Sequence, residues 1–192
     1  MANKIRYGIK NVHTSKITTT GSAITFGVPE KLLGAKSISL DPQGESSPHY
    51  FDDMVYFVTS ANNGYKIDLE LALIPDKFKV DYLGFVKSDD NLLIEDASAQ
   101  PKPFSLLFEF DGDSKATRHI LYNCVATRSK LDGKSKEDKI DPATETIQIV
   151  AMPIEASGKM IVKGNTTDET TTVNYDGFFT KAPALPKFTP VP

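Results

Sequence analysis

The chain has 192 residues, with 22 basic against 25 acidic side chains and a net charge of −3. A charge this near balance gives no electrostatic case for gripping nucleic acid, and a chain of this length can bury about 70% of its unfolded surface in one ordinary core. No apolar run approaches the ~20 residues that span a bilayer, and the single cysteine, Cys124, permits neither an internal disulfide nor a cysteine-rich metal site.

Composition predicts a mostly β chain. Seventeen threonines, seven tyrosines and eleven phenylalanines suit a pleated, half-buried surface, and twelve glycines and twelve prolines punctuate it. Met1–Arg6 turns polar at once, without the apolar stretch of a secretory leader, so a soluble chain made in the cytoplasm is expected. Strands are predicted over 5–18, 23–28 and 35–40. Asp41–Pro48 is polar and turn-rich, and it leads into 50–59, which is apolar on both faces beyond Asp52 and Asp53. A strand of that kind needs cover on both sides, from its own domain or a neighbouring subunit. In 66–74, Ile67, Leu69, Leu71 and Leu73 alternate with Lys66, Asp68, Glu70 and Ala72, the mark of a strand with one buried face.

One helix is predicted next. Pro75 and Asp76 open it, Phe78, Tyr82 and Leu83 line one side, and Gly84 closes it. Pro101 and Pro103 mark the approach to another strand, 104–111, where Phe104, Leu106, Phe108 and Phe110 oppose Ser105, Leu107, Glu109 and Asp111. A five-residue polar turn, Asp111–Lys115, joins it to 116–126 in the best hairpin signal of the chain. Ser129–Asp141 carries eight charges in thirteen residues and reads as a solvated loop on the outer surface. Strands follow over 143–152 and 159–163, then a short helical turn over 174–180. The last ten residues, 183–192, hold four of the prolines and read as an extended tail, so the domain is taken as 1–180 and the tail as 181–192.

Catalytic chemistry finds no anchor in this pattern. His13, His49 and His119 lack metal-ligand spacing. Asp111-Gly112-Asp113 resembles the start of a calcium loop, but Ala116 and Tyr122 stand where that loop needs glycine and glutamate. Cys124 lies within a strand pattern, five residues from His119 and so on the opposite face of a regular strand, which argues against a Cys–His pair within it. The acidic pairs Asp52-Asp53, Asp89-Asp90 and Glu95-Asp96 point their neighbouring carboxylates apart wherever they lie on strands. No enzyme activity, cofactor or metal is expected.

Several segments together resemble the major tail proteins of long-tailed phages and prophages of Gram-positive bacteria. They are Ser37–Glu45 followed by Tyr50–Asp53, Ala61–Tyr65, Asp68–Asp76, Phe104–Asp113 and Lys115–Cys124. The resemblance extends over residues 1–180. It implies a tail-tube fold, in which two packed antiparallel sheets form a β-sandwich or partial barrel with one flanking α-helix. It also implies hexameric rings that stack into a tube conducting DNA during ejection, in a virion assembled from chains made in the bacterial host cytoplasm. The implied partners are further copies of the chain, tape-measure, tail-terminator and baseplate proteins, and DNA in transient, non-specific passage, with no membrane. A tube of a contractile tail or secretion machine shares the same fold, and a β-sandwich hydrolase or sugar-binding module is the reading from another class.

Two residue sets follow. Asp41, Pro42, Gln43, Gly44, Glu45, Ser46, Ser47 and Pro48 are expected to act in ring-to-ring stacking, because they lead into an aromatic run that a lone monomer would leave exposed. Lys66, Asp68 and Glu70, with Ser37 and Ser39 as neighbours, are expected to face the tube lumen. There, two carboxylates against one ammonium give a band that repels phosphate.

Overall fold

Alternating apolar residues and glycine-rich turns produce strands β1 (Tyr7–Thr20), β2 (Ala23–Phe26), β3 (Glu30–Lys31), β4 (Ala35–Gln43), β5 (Ser46–Phe51), β6 (Met54–Ser60) and β7 (Gly64–Leu71). After a helical segment come β8 (Val86–Lys87), β9 (Leu93–Ile94), β10 (Phe104–Asp111), β11 (Arg118–Ala126), β12 (Glu145–Ala151), β13 (Ile154–Ala156), β14 (Lys159–Ile161) and β15 (Lys163–Asn165). The structure, a computed structural model, describes residues 7–21, 23–112, 115–129 and 143–188. The charged stretch expected over Ser129–Asp141 therefore lies, beyond Ser129, outside the described residues.

The mostly β expectation holds. A nine-stranded sheet runs β2-β1-β10-β11-β12-β7-β4, with β15 paired to β11 and β3 to β1. Every pairing is antiparallel. The sheet curls until β4 packs against β1, which forms a partial barrel and reduces the exposed edge. Ile67, Leu69, Leu71, Phe104, Leu106, Ile147 and Ile149, all at 0% exposure, fill its interior.

The helical expectation also holds. Pro75 precedes α1 (Asp76–Phe78), a π-helical turn continues over Lys79–Leu83, and Gly84 ends it in the left-handed conformation. Phe78 and Tyr82 set their rings 5.6 and 4.6 Å from Phe104, joining this segment to the barrel core. Burial pushes the Tyr82 phenol up to about 12, against a bond with Thr14 that lowers it. The second helical turn, expected over 174–180, forms earlier in the chain, as α2 (Thr172–Asp176). Among the described residues no helix is long and apolar enough to cross a membrane.

Four sequence expectations need correction. Residues 50–59 are not one strand but the two arms of a hairpin, β5 and β6, turning at Asp52 and Asp53 with φ of 49° and 59°. Two successive left-handed residues make the tight turn whose twist matches paired strands. Leu73 is 64% exposed, because β7 ends at Leu71 and the chain then turns to bury Ile74 instead. The face of β10 opposite Phe104 is covered as well: Leu107 and Ser105 are buried, and Glu109 is 5% exposed. The cover comes from α2 and the segment after it, where Phe179 stacks on His13 and lies over Arg118. Finally, the C-terminal stretch packs against the body as far as it is described. Pro183, Leu185, Pro186 and Phe188 are half-buried, and Lys159 Nζ lies 4.5 Å from the Phe188 ring centroid.

Candidate assembly surface

The residues expected to stack rings do not form a loop. Asp41, Pro42 and Gln43 complete β4, Gly44 and Glu45 link it to β5, and Ser46, Ser47 and Pro48 begin β5. On the other side β6 runs on to β7. Backbone bonds from Ala61 N–H to the Glu45 carbonyl (3.0 Å) and from Asn63 N–H to the Gln43 carbonyl (2.8 Å) continue the ladder through the junction. The result is one long two-stranded ribbon that leaves the sheet and ends at the Asp52–Asp53 turn.

Two glycines permit that path. A Cβ at Gly44 would lie 1.9 Å from the Ala61 carbonyl oxygen, and a Cβ at Gly64 would lie 1.9 Å from that of Ala151. Both have positive φ, 153° and 104°. The two crossings bring backbones closer than any side chain allows.

Beyond Gly44 every ribbon residue is exposed. Tyr50, Phe51, Met54, Val55, Tyr56, Phe57 and Val58 all present at least half of their surface, and Tyr56 presents 81%. Their local contacts are slight: Phe51 and Tyr56 meet edge-to-face at 5.5 Å, and His49 stacks on Phe57 at 5.8 Å. His49 Nε2 lies 3.1 Å from Thr59 Oγ1, which itself donates to the Ser47 carbonyl. The ribbon thus pairs its own backbone, and the described residues leave its large apolar side chains at least half exposed. Apolar surface on that scale marks an interaction site.

The second predicted set does share one face. Ser37, Ser39 and Asp41 of β4 pair with Glu70, Asp68 and Lys66 of β7, which pair in turn with Thr146, Gln148 and Val150 of β12. Paired residues of antiparallel strands point to the same side, so these form a polar field on the outer surface of the barrel. Ile67, Leu69 and Leu71 occupy the opposite, buried side.

Sequence reasoning missed two groups in this field. Lys36, at a β-bulge in β4, reaches Glu70 at 2.7 Å, and Thr144, just before β12, donates to the same carboxylate at 2.6 Å. Ser37 donates to it as well, at 2.8 Å. Lys36, Thr144 and Ser37 together hold Glu70 down to about 2. Asp68, by contrast, keeps one buried oxygen, Oδ1, without a hydrogen-bond partner. Asp41, Asp68 and Glu70 against Lys36 and Lys66 leave the field one charge negative. That is the sign expected, reached with one more acid and one more base. A bulge has no sequence signature, so Lys36 could not have been placed beforehand.

Nucleophilic chemistry has no support at Cys124. It is fully buried in β11, and burial pushes its thiol far up, away from thiolate formation. Among the described residues no group of three or more His, Cys, Asp or Glu side chains could hold a metal ion.

No protein-family model matches the chain, and no curated protein sequence matches it. Among solved structures, it is similar to a chain of the extended sheath–tube complex of PVC, an extracellular contractile injection system. The identity is 12% and the TM-score 0.48, over 81% of this chain and 89% of that one.

Proposed function

We propose that this chain is a structural subunit that polymerises through its β5–β6 ribbon into a tail tube of stacked hexameric rings, a conduit for DNA during ejection. The observation that carries the reading is the ribbon itself, seven large apolar side chains held on a paired hairpin and each at least half exposed among the described residues. A monomer gains nothing from that arrangement, whereas a neighbouring copy can bury it. The residue-level resemblance to major tail proteins supplies the hexamer and the tape-measure, tail-terminator and baseplate partners, and the polar run Asp41–Pro48, leading into the aromatic ribbon, supplies the stacking role. The polar field of Ser37, Ser39, Lys66, Asp68 and Glu70 then lines the lumen, where a small negative excess keeps phosphate from adhering. Tubes of contractile tails and secretion machines place the same demands on this surface.

Negative-stain electron microscopy of the purified protein tests the proposal. Rings or tubes are expected. A variant with Ser46–Ser60 replaced by a short Gly-Asn turn is expected to melt like the parent and stay monomeric. Tubes formed by that variant would rule the ribbon out.

A further inference from the structure

Between β11, β15, α2 and the C-terminal segment lies an open cavity of about 370 Å³. Its walls are apolar, built from Ile120, Tyr122, Ile161, Phe178, Pro186 and Phe188. The polar lining comes from Asn165, Thr166, Thr170 just before α2 and Asn174 within it, and Lys163 is the one charged side chain among the lining residues. Apolar walls with a few placed polar groups, in a volume of ~300–1,000 Å³, describe a binding pocket rather than a packing flaw.

The ribbon carries a matching projection. His49 pairs with Phe57 and Tyr50 with Val55, so Tyr56 is the extra residue of a β-bulge. Bulges re-aim side chains, and Tyr56 is the most exposed of the large apolar residues described, at 81%. A tyrosine suits a pocket that is apolar within and polar at one side, since its ring packs and its hydroxyl needs a partner. Charge agrees as well. Asp52 and Asp53 are the only Asp, Glu, Lys or Arg residues of Ser46–Ser60, while the pocket is lined by Lys163, whose ammonium lies over the Tyr65 ring, and by Phe188, which carries the Lys159 ammonium.

Resting on the reading of the ribbon as an assembly surface, the geometry points to the site that receives it: Tyr56 of one copy seats in the cavity walled by Phe178, Pro186 and Phe188 of a second copy. Knob and pocket are different patches of one chain, so a contact that is not returned by the same partner is heterologous. Such contacts propagate into rings or open polymers and do not stop at a dimer.

Disulfide trapping tests this. Tyr56→Cys and Asn174→Cys chains are mixed at a concentration raised until the mixture itself assembles, then oxidised and run on a non-reducing gel. A species of twice the chain mass is expected in the mixture and in neither variant alone; Cys124, fully buried, stays silent. Tyr56→Ala is expected to raise the concentration needed for assembly at least ~10-fold, as loss of a buried aromatic anchor does, with Tyr56→Phe close to the parent. Thr170→Trp, which sets a large ring among the lining residues, is expected to match Tyr56→Ala while melting like the parent. No cross-link in an assembling mixture, or Tyr56→Cys chains linking to each other, overturns the assignment. If Thr170→Trp assembles normally while removal of the ribbon abolishes tubes, the pocket assignment falls and the ribbon stands. If removal of the ribbon changes nothing, both fall.

Discussion

The guanidinium of Arg118 lies 3.9 Å from the ring centroid of Tyr175, and one of its terminal nitrogens donates to the Tyr175 carbonyl. On its other side Nε donates to Glu109 at 2.9 Å, and Glu109 also accepts from Asn11 at 2.6 Å. One side chain therefore fastens α2 to the central strands and neutralises a buried acid.

Arg118→Ala is expected to destabilise the fold by about 3 kcal/mol, the lower end for breaking a buried ion pair, because both partners keep slight solvent contact. Arg118→Lys keeps the charge but loses the planar stacking, and should fall between. Urea midpoints measure both effects. Amide exchange over Thr172–Thr180 should accelerate in the alanine variant more than exchange in β7.

Glu70 sets a pH dependence. Its carboxyl lies at about 2 in the folded chain against 4.5 unfolded, lowered by Lys36, Thr144 and Ser37. A depressed folded value means the contribution is complete above 4.5 and is lost as pH falls from there towards 2. Glu70→Gln should therefore show a smaller drop in urea midpoint between neutral pH and pH ~3 than the parent. An unchanged drop would assign the acid sensitivity elsewhere.

Gly44 and Gly64 face the same collision with different consequences. Gly64→Ala forces a Cβ against Ala151 in the barrel core and should cost more than ~1 kcal/mol. Gly44→Ala meets Ala61, where the ribbon leaves the barrel, and should leave the thermal transition nearly unchanged while disrupting assembly. Melting curves and electron microscopy of the two variants separate these outcomes.

Within the lumen reading, Asp68 is a cleaner probe than Glu70, because Glu70 holds β4 to the start of β12 while one Asp68 oxygen has no hydrogen-bond partner. Tubes of Asp68→Lys should assemble and retain a labelled DNA oligonucleotide at low salt. That retention should fade as screening shortens to about 8 Å and below. Retention indistinguishable from the parent would place the field on the outside of the tube.

Period-two alternation identified β7 and β10, and proline and glycine placement bracketed the helical segment over Asp76–Leu83. Each of these signals is local: a half-buried strand writes its buried face into every second residue, and a helix is bounded by residues that can start or stop it. Alternation also placed Lys66, Asp68 and Glu70 on one face. Whether 50–59 was a strand or a hairpin could not be read, because a left-handed turn at Asp52–Asp53 depends on backbone geometry that no glycine announces there. The second burial of β10 depends on α2 returning from more than sixty residues away to lay Tyr175 and Phe179 over Arg118. The sequence alone determined which residues are apolar and how they alternate, since those are properties of neighbours along the chain. Only the tertiary structure decided which apolar faces stay uncovered, because cover comes from segments distant in sequence, and for Tyr50–Val58 none of the described segments arrives.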